Sequence, residues 1–161
     1  MDHRKLLRIY LQDHMAAANA GVELARRLRG SNEGTPYGDA LAKLADDIDA
    51  DRRALEAIAR DLGVGRDRAK HLFMWAGEKA GRLKLNGQLT GYSPLSRLIE
   101  LEGLGAGVSA KLSLWGSLLE LSAHEPRLDR AHLERLVQRG EQQRDTLGEL
   151  RTRAAREAFV G

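Results

Sequence analysis

The residues best suited to chemistry are polar side chains that interrupt the apolar seams of predicted helices. Between residues 35 and 62, leucine and isoleucine recur at heptad spacing, and Asp51 takes the position that completes the series. His14 and Gln143 interrupt two other seams near mid-helix in the same way. Because buried polar groups are costly without partners, we expect these three side chains to meet in one layer. The aliphatic members of the Asp51 seam are Leu41, Leu44, Ile48, Leu55, Ile58 and Leu62.

Two interpretations of this polar layer are open. In the first, it is a structural network in which Asp51 accepts a hydrogen bond from Arg144 or His14, and this is the commoner arrangement in proteins. In the second, it is a metal site, because histidine and carboxylates from several helices of a bundle suit iron or manganese. The candidate metal ligands are His14, Asp51, Glu102 and Glu141.

Apolar periodicity and capping residues divide the chain into four long helices and one shorter helix. Thr35 and Ser93 are each followed by proline, which predicts an N-cap with proline at the first helical position. Asp129 is the predicted cap of the last helix. The predicted helices cover residues 3–29, 36–63 and 66–85, then a fourth helix from Pro94 to the break at Pro126, and a fifth that follows the Asp129 cap and ends at about Ala158.

Each long helix has a predicted seam that should face a common core. The first seam comprises Leu7, Leu11, His14, Ala18, Gly21, Ala25 and Leu28. The seam after Ser93 comprises Leu98, Leu101, Gly105, Val108, Leu112, Trp115 and Leu119. The last comprises Leu133, Leu136, Gly140, Gln143, Leu147, Leu150 and Ala154.

These elements predict an all-α protein. Four heptad seams imply a four-helix bundle with crossing angles of about 20°. The shorter helix at residues 66–85 is long enough to serve as a crossover between two hairpins, which is the connectivity of ferritin-like bundles. We therefore expect residues 1–161 to form one such domain with an additional crossover helix.

Composition removes several classes of function. The chain has 161 residues, with 42% apolar and 30% charged side chains, as in one globular domain. It has no cysteine, so disulfides, thiolate metal sites and cysteine nucleophiles are excluded. No secretion signal or membrane span is predicted, and we expect a cytoplasmic protein. A net charge of +3 and 4% aromatic residues argue against nucleic acid as the partner.

Four stretches of the sequence carry a family resemblance: YLQDHMAAANAGVELARRL, LADDIDADRRALEAI, GRLKLNGQLTGYSPLSRLIELEGL and EQQRDTLGELRTRAAREAF. They resemble the small ferritin-like bundles found among uncharacterised actinobacterial proteins. The resemblance implies a ferritin-like fold. Di-iron members of that superfamily carry glutamates and Glu-x-x-His pairs on their helices. Here neither Glu102 nor Glu141 is followed by a histidine three residues on, and the third residue after Glu141 is Arg144.

The functional expectation follows from this departure. We expect a bundle without an intact di-iron motif, without a cofactor and without catalysis, which acts by binding a ligand or a protein. The alternative is an iron- or manganese-binding protein with a non-canonical site. A homo-oligomer is also expected, because Phe73, Met74 and Trp75 would place large apolar side chains on more than one face of the shorter helix.

Overall fold

The computed structural model describes residues 2–65 and 91–160, and every regular element in these two ranges is an α-helix. The helices are α1 (His3–Ser31), α2 (Gly38–Asp61), α3 (Pro94–Leu121) and α4 (Arg130–Phe159). The predicted all-α architecture with four long helices is confirmed for these ranges. The predicted shorter helix at 66–85, with Phe73, Met74 and Trp75, lies outside the described residues.

Two of the three predicted N-caps are confirmed. Ser93 accepts a hydrogen bond from the backbone N–H of Ser96 at 3.1 Å, and Pro94 opens α3. Asp129 accepts from the backbone N–H of His132 at 3.1 Å and caps α4. In both cases a side-chain oxygen satisfies a backbone donor that the first helical turn leaves free.

The predicted cap of α2 was wrong. The helix begins at Gly38, and the preceding Tyr37 has helical backbone angles and makes no side-chain capping bond. Thr35 instead closes the turn before the helix, because its hydroxyl donates to the carbonyl of Asn32 at 2.7 Å and accepts from the N–H of Tyr37 at 3.2 Å. Thr35 and Pro36 therefore belong to the turn that precedes α2, and Pro36 is not the first residue of the helix.

The direction of the helices follows from contacts between them. On α1 and α2, Arg26 lies 3.8 Å from Asp49 and Arg29 lies 3.5 Å from Asp46. A later residue of α1 meets an earlier residue of α2, so this pair is antiparallel.

Contacts also show how α3 runs relative to α4, with which it forms a second hairpin, and how it runs relative to α1 of the first hairpin. Between α3 and α4, Arg97 contacts Glu157 at 2.8 Å, and Lys111 contacts Gln143. Between α1 and α3, Tyr10 contacts Ser117 at 3.2 Å, whereas Arg27 contacts Glu100 at 2.8 Å. Both pairs are antiparallel. The four helices therefore run up, down, down and up along the chain, and α2 and α3 are parallel.

The buried residues match two of the four predicted seams in full. All seven predicted seam positions of the second helix are buried, with Leu62 directly after the end of α2, and so are all seven of α4. The predicted seam of α1 is correct at Leu11, Ala25 and Leu28, but Val22 is buried where Gly21 was expected. In α3, Leu104 and Leu118 are buried where Gly105 and Leu119 were expected. A strict heptad drifts by ~20° per repeat against a straight α-helix, which accounts for a shift of one residue in these long helices.

The core has two apolar parts. One contains Tyr37, Ile48, Leu101 and Leu150, at the end of the bundle where α1 meets α2. The other contains Leu55 and the fully buried Trp115 toward the opposite end. Asp51 is buried between Ile48 of the first part and Leu55 of the second. None of the described helices is long and apolar enough to cross a membrane.

Candidate functional site

The central polar site is built around the carboxylate of Asp51, which is 1% exposed. Its Oδ1 accepts two hydrogen bonds from Arg139, one of them from Nε at 2.8 Å. Its Oδ2 accepts from the ammonium group of Lys111 and from Nε2 of Gln143, the latter at 2.9 Å. Three side chains therefore donate four hydrogen bonds to one carboxylate. We call Asp51, Lys111, Arg139 and Gln143 the central cluster.

The helices place these side chains by simple geometry. Arg139 and Gln143 are four residues apart on α4 and share one face of that helix. Lys111 lies on α3 and reaches inward, and its side chain is 15% exposed. All three partners of Asp51 belong to the α3–α4 hairpin, whereas Asp51 belongs to the α1–α2 hairpin. The central cluster is thus a polar connection between the two halves of the bundle.

The electrostatics of the site are those of a carboxylate shared by two cations. Burial lowers the pKa of Lys111, and the carboxylate of Asp51 opposes that shift. Arg139 adds a second positive charge that also lowers the pKa of Lys111, while Asp47 raises it. Because both oxygens of Asp51 already accept two hydrogen bonds, its lone pairs are committed to side-chain donors.

The structure separates the other predicted site residues from Asp51. His14 is half-buried, and its ring packs edge-on against the ring of Tyr10 with centroids 4.6 Å apart. Glu102 and Glu141 are exposed. Arg144 is also exposed, with its guanidinium 3.8 Å from Asp145.

The predicted partners of Asp51 therefore need correction. Gln143 does meet Asp51, but the cationic partners are Lys111 and Arg139 and not Arg144 or His14. Arg144 follows Gln143 directly, so its side chain points ~100° away around the helix. Arg139 precedes Gln143 by four residues and therefore lies on the same face of α4, and this spacing is the sequence signal that makes Arg139 a candidate partner.

The four residues predicted as metal ligands do not converge. Within residues 2–65 and 91–160, no three histidine, aspartate or glutamate side chains form a group that could hold a metal ion. Asp51 contributes the one buried carboxylate of the central cluster, and its neighbours there are two cations and an amide. A site with these neighbours favours a cationic side chain over a divalent metal, which needs several oxygen or nitrogen ligands.

A second polar cluster ties together the end of the bundle at which α3 begins. The guanidinium of Arg97 lies 4.4 Å from the ring centre of Tyr37, and that of Arg153 lies 4.9 Å from the same ring. Arg97 also donates to Asn32 at 2.6 Å and to Glu157 at 2.8 Å. Burial raises the pKa of Tyr37, and the carboxylate of Glu157 raises it further. We call these five residues the end cluster.

The end cluster extends to the start of α3. Tyr92 accepts a hydrogen bond from Asn32 at 3.1 Å and donates one to Glu100 at 3.1 Å. Burial, together with the carboxylate of Glu100, raises the pKa of Tyr92 to about 12. Arg27 from α1 completes the pairing of Glu100 at 2.8 Å. These side chains bond to one another, which is the pattern of a structural network.

A small cleft lies between the end of α2 and the start of α4. It has a volume of about 220 Å³ and is lined mainly by alanine, leucine and isoleucine side chains. Pockets that bind drug-sized molecules usually exceed ~300 Å³. The polar residues of the lining are Asp61, Arg127, Asp129 and His132, of which Asp129 is already engaged as the cap of α4.

Comparison of the chain with family models, curated proteins and solved structures finds no match.

Proposed function

We propose that this chain is a ferritin-like four-helix bundle without di-iron chemistry, and that it acts by binding protein, with a second copy of itself as the partner. The observation that carries the proposal is the outer face of α3. In a protein with 30% charged residues, this face is free of charge over four helical turns.

The helix directions support the ferritin-like assignment. Because α2 and α3 are parallel, the end of α2 at Asp61 and the start of α3 at Pro94 lie toward opposite ends of the bundle. Two antiparallel hairpins whose second and third helices are parallel differ from up-down-up-down bundles and agree with the helix directions of ferritin-like folds. The sequence resemblance to actinobacterial ferritin-like bundles points the same way.

The central cluster supports the absence of di-iron chemistry. A di-iron centre needs several inward-facing glutamates with histidines. Here Glu102 and Glu141 are exposed, and the buried Asp51 is neutralised by Lys111 and Arg139. The middle of the bundle therefore holds a network that contributes to structure, and the binding activity is assigned to the surface.

The outer face of α3 is unusual for an exposed helix. Between Glu102 and Glu120 the one charged residue is Lys111, and it points inward to Asp51. An exposed helix normally carries a polar face opposite its core face, and a helix that lacks one is usually buried. We call six of the exposed residues here the small-residue face: Gly103, Ala106, Gly107, Ala110, Ser113 and Ser117.

The serines on this helix do not make the face polar. Ser113 donates its hydroxyl to the carbonyl of Ser109 at 3.2 Å, and Ser117 donates to the carbonyl of Ser113 at 2.9 Å. Ser109 does the same to Gly105 at 3.0 Å. Hydroxyls that bond to their own helix need no solvent donor or acceptor, so these serines can be covered at low cost.

Helix α1, which packs beside α3, also exposes apolar residues. Ala17 and Ala20 are exposed, and Leu6 and Ile9 near the start of the helix are 47% and 45% exposed. From Gly103 to Ser117 the helix rises ~21 Å, and two adjacent helices are ~20 Å wide, so each copy offers roughly 400–500 Å². A symmetric pair would bury roughly 800–1,000 Å² in total, which is below the standard size of a specific interface, so we expect a weak association that depends on concentration.

The test is the mass of the protein in solution across concentration. Light scattering should show a monomer at low micromolar concentration and a dimer at high micromolar concentration. Ala110→Glu should keep the protein monomeric, because the charge would be buried without a partner. Ala131→Glu is the matched control, since Ala131 is an exposed helical alanine on α4, and it should dimerise like the wild type. A wild-type monomer throughout, or equal dimerisation of Ala110→Glu, would contradict the proposal.

A further inference from the structure

The ammonium group of Lys111 lies between two oxygen atoms that belong to buried side chains. Its Nζ donates to Oδ2 of Asp51 and to Oε1 of Gln143. Asp51 is 1% exposed and Gln143 is 2% exposed. Two buried acceptors on two different helices therefore face the same point, and a positively charged group from a third helix occupies it.

The two acceptors are held in place without Lys111. Nε2 of Gln143 donates to Oδ2 of Asp51 at 2.9 Å, and this bond turns Oε1 of the same amide toward the ammonium group. Oδ1 of Asp51 is fixed independently by Arg139. The positions of Oδ2 and Oε1 are thus set by contacts among the other three members of the central cluster.

We propose that Asp51 and Gln143 form a preorganised cation site in the middle of the bundle, and that its ligand class is the primary ammonium ion, supplied in this chain by Lys111. An ammonium group offers three N–H donors, and the site offers a carboxylate oxygen and an amide oxygen to receive them. A divalent metal ion at this point would have one carboxylate ligand and would lie beside the positively charged guanidinium of Arg139. This ligand set does not suit a divalent metal.

If the site formed by Asp51 and Gln143 exists independently of Lys111, a shorter side chain at position 111 should leave it able to bind a free ammonium ion. Lys111→Ala removes three methylene groups and the ammonium group, which together correspond to one propylammonium ion. Oδ2 and Oε1 then lack the cation they faced, and a free ligand that binds the folded state stabilises it by mass action. We measure thermal unfolding of Lys111→Ala in propylammonium chloride and in tetramethylammonium chloride at equal ionic strength.

The two salts differ in the property that the site requires. Tetramethylammonium carries the same charge but has no N–H donor. We expect Lys111→Ala to unfold several degrees below the wild type, and propylammonium at about 100 mM to recover at least about half of that loss. Tetramethylammonium should recover none of it. The wild type should respond equally to both salts, because Lys111 already fills its site.

Lys111→Met is the matched control, since it keeps an unbranched apolar side chain but has no ammonium group. Its side chain occupies the path that propylammonium would take, so we expect the same unfolding temperature in the two salts. Equal recovery of Lys111→Ala in both salts would overturn the proposal, as would recovery by Mn²⁺ in place of propylammonium. If Lys111→Ala is unfolded in buffer, helix formation on addition of propylammonium supports the site, and a chain that stays unfolded at every concentration overturns it.

Discussion

Arg139 on α4 donates two hydrogen bonds to one oxygen of Asp51 on α2. These two helices touch less extensively than the other neighbouring pairs among the described helices. The polar bond therefore joins the two hairpins where their backbones come close at few positions. Polar partners at such a position fix how two halves meet, because a shifted arrangement would leave the buried carboxylate without its donors.

Removal of the central carboxylate should be costly. Asp51→Ala leaves Lys111 and Arg139 without their common anion, and the free energy of unfolding should fall by about 3 kcal/mol. Denaturant unfolding measures the change. Asp145→Ala is the control, because the Asp145 side chain is 75% exposed, and it should cost no more than ~0.5 kcal/mol. Similar values for the two variants would show that the central cluster contributes little.

The stability of the protein should depend on His14 in mildly acidic solution. Burial lowers the pKa of His14 below 6.5, and the smaller effect of Asp13 opposes this. The unfolded chain then binds the proton more tightly than the folded chain, so the free energy of unfolding rises with pH just below 6.5 and this contribution is complete above it. Urea unfolding between pH 5 and pH 7 measures the slope. His14→Gln should reduce the slope, whereas His124→Gln, at an exposed position, should leave it unchanged.

Two glycines of α4 should respond oppositely to alanine. A Cβ atom at Gly140 would lie 2.7 Å from Cδ2 and 3.1 Å from Cγ of Leu112, so the head of that leucine must move. At Gly148 nothing lies within 4 Å. Gly148→Ala should therefore stabilise the protein by up to ~1 kcal/mol through helix propensity. Gly140→Ala should destabilise it by roughly 1 kcal/mol, because overpacking outweighs that gain. If both variants are stabilised in thermal unfolding, α3 and α4 are less tightly packed at this point.

Arg97 should be the most sensitive position of the end cluster. Its side chain is 13% exposed and joins Asn32, Glu157 and Tyr37. Arg97→Ala leaves the buried amide oxygen of Asn32 without this donor and removes one of the two arginines that bond to Glu157, so it should cost roughly 2–3 kcal/mol. Arg130→Ala removes an exposed i,i+4 pair with Glu134 and should cost at most ~0.5 kcal/mol. Equal losses in chemical unfolding would mean that Arg97 acts as an ordinary surface charge.

Sequence periodicity predicted α2 and α4 well because their outer faces are strongly charged. Because the charged and apolar faces differ clearly, only one assignment of seam residues fits the sequence of each helix. All of the assigned residues are buried. In α3 the outer face carries glycine, alanine and serine, so both faces lack charge and the pattern does not separate them. The predicted seam of α3 was consequently displaced at Gly105 and Leu119.

The central cluster was predicted in part for a related reason. Asp51 and Gln143 stood out because they replace apolar residues in regular seams. Lys111 and Arg139 lie beside the seams, and long cationic side chains beside a seam usually extend into solvent. That they turn inward depends on the distance between α2 and the α3–α4 hairpin, which no single-helix pattern encodes.

The most direct test of the account is the metal content of tag-free protein after exposure to Fe²⁺ or Mn²⁺ and removal of unbound ions. Because the buried carboxylate is neutralised by Lys111 and Arg139, we expect less than about 0.1 metal ion per chain, for the wild type and for Asp51→Asn alike. One or more ions per wild-type chain, with loss of that metal in Asp51→Asn, would contradict this expectation.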